Sequence, residues 1–267
     1  MFAFNYHRPA SVRKATTLLG GNEDAKLLAG GQTLIPTLKQ RLASPGDLID
    51  LGAVPDLAGI ELRGRTLSIG AMTRHAAVAA SPIVREAVPA LADLAGVIGD
   101  PAVRNRGTMG GSVANNDPSA DYPAAVLGLG ATIVTTQRRI EADDFFQGLF
   151  ETALEPGEII TRFQFPAVRK AGYEKFRHPA SRFALVGVFV AKRTSDIRVA
   201  VTGASQSGVF RWTEAEEALK KRFAAKSLEG IAPPPADDMI SDIHGSGAYR
   251  AHLVTVMARR AVEKAAG

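Results

Sequence analysis

The chain has 267 residues, 46% of them hydrophobic and 22% charged, enough apolar material for a sizeable core divided between two domains. It contains no cysteine, which excludes disulfides, thiolate nucleophiles, zinc–thiolate sites and cysteine-ligated iron–sulfur clusters from this chain. The 32 basic and 27 acidic residues leave a net charge of +5, but the basic residues are scattered and aromatics are only 6%, which argues against a groove that stacks nucleic-acid bases.

In chain order, Ala25–Ala29 is a short strand ending at Gly30-Gly31, and Leu48–Leu51 is another. Ile60–Leu62 and Leu67–Ile69 flank Arg63-Gly64-Arg65 as a hairpin. Thr73 caps a short Ala-rich helix, and Ser81-Pro82 opens a longer one with Ile83, Val84, Ala87, Leu91 and Leu94 on one face. The glycine-dense stretch Gly107–Gly111 follows. A helix of Ala and Leu runs from about Pro123 to Gly128, and Ala131–Thr136 is a β-branched strand. Asp143-Asp144 caps the turn Phe145–Phe150. Glu158–Phe165 and Tyr173–Arg177 read as strands joined by the basic connector Pro166–Gly172, where the domain boundary is placed. Phe183–Lys192 and Ile197–Val201 pair as a hairpin. Thr213 with Glu216 forms a capping box for a helix to about Phe223, and the last helix spans Ala248 to Lys264.

The longest nearly uncharged run, Ala114–Gln137, contains Asp117 and Asp121 and is broken by Pro118 and Pro123, so no membrane span is expected. The opening MFAFNYHRPASVRK has no apolar core of signal-peptide length, and a cytoplasmic location is expected. The five histidines have no metal-ligand spacing, so no metal site is assigned.

Two glycine-rich loops could carry chemistry. The first is Leu28-Ala29-Gly30-Gly31-Gln32-Thr33-Leu34, and the second is Thr108-Met109-Gly110-Gly111-Ser112. Without a Cβ, the double glycines can turn sharply and bring several N–H groups to one point, and Thr33, Thr108 and Ser112 add hydroxyls. Hydrogen bonds to a charged group contribute about 1.5–3 kcal/mol each, so four or five could hold a diphosphate without Lys or Arg. Neither loop is a P-loop, and neither contains GxGxxG, so a dinucleotide site here needs two separate converging loops. Asp121 could accept from a ribose or ribityl hydroxyl, or could cap the helix that starts near Pro123. Gly30-Gly31-Gln32 also spells the tripeptide of translation release factors, which makes a basic RNA-binding factor the rival reading from another class.

The two loops resemble the AGG and T-[IM]-GG signatures of the FAD-binding medium subunit of carbon monoxide dehydrogenase and related molybdenum hydroxylases; the xanthine dehydrogenase flavin domain is similar. Arg104-Asn105-Arg106-Gly107-Thr108-Met109-Gly110-Gly111, Asp117-Pro118-Ser119-Ala120-Asp121 and Leu154-Glu155-Pro156-Gly157-Glu158 extend the resemblance along nearly the whole chain. It implies an α+β fold: a two-subdomain FAD-binding domain of the PCMH/VAO-like kind over residues 1–170, divided at about residue 55, then a small antiparallel sheet-and-helix domain over 171–267. It implies that Ala29, Gly30, Gly31, Gln32 and Thr33, then Thr108, Met109, Gly110, Gly111 and Ser112, line the pyrophosphate, with Leu34 also among the cofactor-binding residues. Asp121 would lie near the ribityl or ribose hydroxyls, Ile98 and Ile160 against the cofactor, and Lys175 near the flavin. Gln32 stands where many members have His, and Phe183 about where some place a Tyr.

The resemblance also implies a cofactor, FAD, and partners: a small iron–sulfur subunit and a large molybdenum-cofactor subunit, as a dimer of heterotrimers. Clusters and molybdenum would then sit on those other chains. The chemistry would be electron transfer, with no general acid, base or nucleophile from this chain. A stand-alone FAD-dependent oxidoreductase of the same fold is the alternative.

Overall fold

Short alternating strands and helices open the chain. The computed structural model describes residues 1–267. Strands β1 (Asn5–His7), β2 (Lys26–Leu28) and β3 (Asp47–Asp50) form a parallel sheet in the order β1-β3-β2. Parallel neighbours need crossovers, supplied by helices α1 (Val12–Gly20) and α2 (Leu34–Lys39). Ser11 starts α1 by accepting the Lys14 N–H on its hydroxyl. Ala15, Ile49, Leu51 and Leu57 pack into a small core that also takes Ile159 from much later in the chain.

A second unit begins with the hairpin β4 (Ile60–Arg63) and β5 (Thr66–Gly70), turned at Gly64 with φ +59°. Helices α3 (His75–Ala80), α4 (Pro82–Ala87), α5 (Pro89–Gly96), α6 (Pro101–Arg104), α7 (Met109–Asn115) and α8 (Tyr122–Leu129) follow. The chain then returns through β6 (Thr132–Thr135), β7 (Arg139–Glu141), the single turn α9 (Ala142–Phe145), the small pair β8 (Phe146–Gly148) and β9 (Glu151–Thr152), and β10 (Ile160–Pro166). The sheet order is β4-β5-β10-β6-β7, antiparallel throughout. Side chains alternate across it with the strand period of two. Leu67, Ile69, Ile133, Phe163 and Phe165 face the helices and are buried, while Ser68, Thr132, Arg162 and Gln164 face outward.

The chain leaves this sheet at Pro166 and enters a four-stranded antiparallel one at Ala171. Its strands are β10's successors β11 (Ala171–Arg177), β12 (Ala184–Lys192), β13 (Ile197–Thr202) and β14 (Phe210–Arg211). Helix α10 (Thr213–Lys221) and the long α11 (Gly247–Ala266) complete the fold. Helix α11 covers β11 and β12, while α8 packs on β12 and β13. Tyr173, Phe189, Ala191 and Ala200 of this sheet therefore join the same core as α5 and α8.

Four local expectations change. The long helix from Pro82 is two helices, because Pro89 has no N–H to continue the ladder and Val88 leaves helical geometry at φ −148°, ψ 79°. Thr73 does not cap α3; its hydroxyl bridges the backbone of Gly59. Thr213 and Glu216 form no capping box, since Glu216 is drawn inward to accept from the Val199 N–H and from Arg211. Asp143 likewise pairs with Arg198 and Arg211.

Candidate cofactor-binding site

The three units meet around a cavity of about 560 Å³, within the roughly 300–1,000 Å³ of small-molecule sites. One end is built by the loop between β2 and α2. Here the N–H groups of Ala29, Gly30, Gly31, Gln32, Thr33 and Leu34 have no protein acceptor, although these residues line the cavity. Gly31 takes φ +72°, the left-handed turn that swings the chain around this end.

The second loop meets the first directly. A Cβ on Gly30 would stand 2.3 Å from the Arg106 carbonyl oxygen and 2.6 Å from the Gly107 Cα, and one on Gly111 would stand 3.2 Å from the Ala29 Cβ. Gly110 faces Ala71, whose carbonyl oxygen a Cβ would approach to 2.7 Å. Gly30 and Gly110 are thus required first by the close approach of backbones.

The second loop spends its N–H groups internally, contrary to the expectation for it. Met109 N–H donates to the Thr73 carbonyl at 3.1 Å, Gly110 N–H to Ala71 at 2.7 Å, and Gly111 N–H to the Thr108 hydroxyl at 3.2 Å. Ser112 N–H donates to the Thr108 carbonyl. The loop offers the cavity hydroxyls and a close-fitting surface, and the first loop offers the free donors.

Thr108, Gly110, Gly111, Ser112, Asp121, Ile98 and Ile160 all line the cavity, as do the six residues of the first loop. Met109 does not: it is the first residue of α7 and is fully buried in the core. Lys175 does not either; it stands on β11 behind Asp121 and reaches the wall only through that carboxylate. Sequence reasoning missed His75, Met72 and Arg182 as lining residues. The glycines around Gly107 were the available signal for His75, because its Nε2 would lie 2.4 Å from a Cβ there.

Asp121 begins α8 but accepts no hydrogen bond from that helix, so its side chain is not a cap. Its carboxylate accepts from the Tyr173 hydroxyl at 2.5 Å and lies 2.8 Å from Lys175 Nζ. Burial pushes the Asp121 carboxyl up, opposed by the Lys175 charge and by the hydrogen bonds from Lys175 and Tyr173. Burial also raises the Tyr173 phenol well above its usual value, with the Asp121 charge adding to it, so it stays a donor.

His75 is 4% exposed and its Nδ1 has no partner. Desolvation, then the Arg104 charge, lowers its pKa to about 4, so the imidazole in the cavity wall is neutral at pH 7. Its ring tilts against Tyr122 at 5.3 Å.

Residues 2–168 match the model of the FAD binding domain in molybdopterin dehydrogenase, and residues 171–265 that of the CO dehydrogenase flavoprotein C-terminal domain. The chain belongs to this flavoprotein family. The nicotine 6-hydroxylase medium subunit of Paenarthrobacter nicotinovorans is 38% identical, over 98% of this chain and 97% of the relative. The carbon monoxide dehydrogenase medium chain of Hydrogenophaga pseudoflava is 36% identical, over 98% and 96%. The structure of reconstituted CO dehydrogenase from Oligotropha carboxidovorans superposes with a TM-score of 0.90 at 34% identity, covering 98% of this chain and 97% of that one.

The protein is therefore an oxidoreductase subunit, the FAD-binding medium subunit of a molybdenum hydroxylase, and its cofactor is FAD. The cavity fits that cofactor on its own terms. Six unpartnered N–H groups at one end suit a diphosphate, and Ile98, Ile160, Leu154 and Phe183 give apolar wall for a flat ring. No helix is long and apolar enough to cross a membrane.

Proposed function

We propose that this flavoprotein relays electrons within a heteromeric complex, receiving them from iron–sulfur clusters on a small partner chain and passing them to an external acceptor. A large chain holding the molybdenum cofactor would complete the assembly, as a dimer of heterotrimers. The reading rests on the family's medium-subunit identity and on a chain that has no cysteine to ligate a cluster of its own.

FAD, when bound, supplies one- and two-electron redox chemistry. The residues of this chain bind and orient it. The N–H groups from Ala29 to Leu34 would hold the diphosphate, with hydroxyl help from Thr108 and Ser112. Asp121, fixed by Tyr173 and Lys175, would accept from a sugar or ribityl hydroxyl. Ile98 and Ile160 would exclude water along the wall. No side chain is assigned to proton transfer.

The row of unpartnered donors supports the cofactor-binding part of this reading. The test is to purify the native complex, release and identify the flavin by chromatography, and assay metals chain by chain. FAD on this chain, with iron and molybdenum on the other two, is the expected result. A fully active single chain free of both metals would defeat the relay reading.

A further inference from the structure

The outer face of the five-stranded sheet, together with the adjoining edge where the chain crosses into the four-stranded sheet, carries a concentration of charge that the linear sequence disperses. Two clefts of about 840 and 420 Å³ adjoin there, and eight basic but only two acidic side chains line them. That excess is larger than the +5 of the entire chain. The arginines come from distant elements: Arg63 on β4, Arg65 in the hairpin, Arg139 on β7, Arg162 on β10 and Arg193 after β12.

Most of this charge is uncompensated. Arg63 pairs with Glu61 at 2.7 Å and Arg193 with Asp196 at 3.1 Å. Arg65, Arg139 and Arg162 make no ion pair, although Arg139 donates to Gln164. At the junction of the two clefts, Arg193 Nη1 is buried without any hydrogen-bond partner, pressed over Gly130. Desolvation and the neighbouring Arg198 both disfavour the Arg193 cation. Arg193 is thus only partly compensated, by Asp196, and partly desolvated, and further negative charge brought close to it would offset that cost.

We infer that this arginine-lined sheet face docks an acidic surface of a partner subunit in the complex. The inference rests on the heteromeric reading above. The chemistry favours a protein carboxylate partner over a nucleic acid. The half-buried positions between the arginines are Ser68, Thr132 and Gln164, which hydrogen-bond, and no aromatic ring faces outward there for a base to stack on. Guanidinium forks bind carboxylates in pairs of parallel bonds and dominate over lysine in the larger cleft, as at protein interfaces.

The test uses the medium subunit co-expressed with the small iron–sulfur and large molybdenum subunits of its own complex. In R139E/R162E, both side chains are exposed, so folding and FAD content should match the parent. Recovery of the assembled complex is expected to fall at least about tenfold, with R139K/R162K intermediate and the parent's assembly weakening as salt rises. Carbodiimide treatment of the unmodified complex should join Lys170 or Lys192, both in the smaller cleft, to partner Asp or Glu residues. Undiminished assembly of R139E/R162E without such crosslinks overturns the docking surface while leaving the relay reading intact. Parent chain that joins no partner brings down both. A labelled single-stranded oligonucleotide that binds the parent and not R139E/R162E, with assembly unaffected, reassigns the face to nucleic acid.

Discussion

The Asp121 carboxylate and the Lys175 ammonium face each other at 2.8 Å across the junction of α8 and β11, each almost wholly removed from water. One belongs to the segment that lines the cofactor cavity and the other to the sheet behind it. The contact makes the four-stranded sheet part of the site, because the cavity-facing acid is held and oriented through residues that follow the domain boundary.

Breaking this pair from one side should be costly. Lys175→Met leaves a buried carboxylate without its counter-charge and should lower stability by about 3–5 kcal/mol. The double replacement Asp121→Asn with Lys175→Met should recover much of that loss. Urea unfolding of the parent, single and double variants measures both. If the double variant is no more stable than K175M, the two residues do not act as a pair.

His75 gives a pH dependence of defined sign. Its folded pKa, about 4, lies below the ordinary value of 6.5. The unfolded chain therefore binds the additional proton between those values, and stability rises with pH across that window. The contribution is complete above pH 6.5, is lost as pH falls toward about 4, and is constant below. A shift of this size corresponds to on the order of 3 kcal/mol. His75→Phe should flatten that part of the curve of unfolding free energy against pH. A slope identical to the parent's would show that the imidazole is not held neutral.

The two loops should respond differently to a single methyl group. Gly30→Ala forces a Cβ onto the Arg106 and Gly107 backbone, which cannot yield cheaply, so the loops must part. We expect a loss of about 2 kcal/mol or more and purification without flavin. Gly111→Ala meets the Thr108 hydroxyl at 3.0 Å and the Ala29 methyl at 3.2 Å, a milder conflict. It should keep most of its FAD and show a smaller fall in melting temperature. The ratio of flavin to protein absorbance distinguishes the two, and equal retention would contradict the close-approach account.

Much of the site is legible in the chain because glycine, hydroxyl and apolar residues cluster locally. Both loops stand out as AGGQT and TMGGS, and they line one cavity together with Ile98 and Ile160. What the residues do there is less legible, because it depends on atoms from elsewhere. Gly110 reads as a phosphate-binding glycine, yet its lack of a Cβ is demanded by Ala71. Met109 sits in the motif but points into the core. Asp121 has the position of a helix cap, but Tyr173 and Lys175, more than 50 residues later, take its oxygens. The basic residues look scattered because β4, β5, β10, β6 and β7 are adjacent only after folding. Capping signals at Thr73 and Thr213 failed for a related reason, since tertiary partners engaged Thr73 and Glu216 first.

The segment from Pro118 to Asp121 is tied into the four-stranded sheet. Gly203 N–H donates to the Pro118 carbonyl at 2.7 Å, and the Thr202 hydroxyl to the carbonyls of Pro118 and Ala120. Two family models divide the chain near residue 170, yet this cavity wall is suspended from the far side of that division. Grafting the C-terminal half of one relative onto the N-terminal half of another would therefore exchange the anchor of the cofactor wall along with the sheet. Such hybrids should succeed only when residues 117–121 travel with the strands that hold them, so the unit of inheritance for flavin binding crosses the boundary between the two sequence modules.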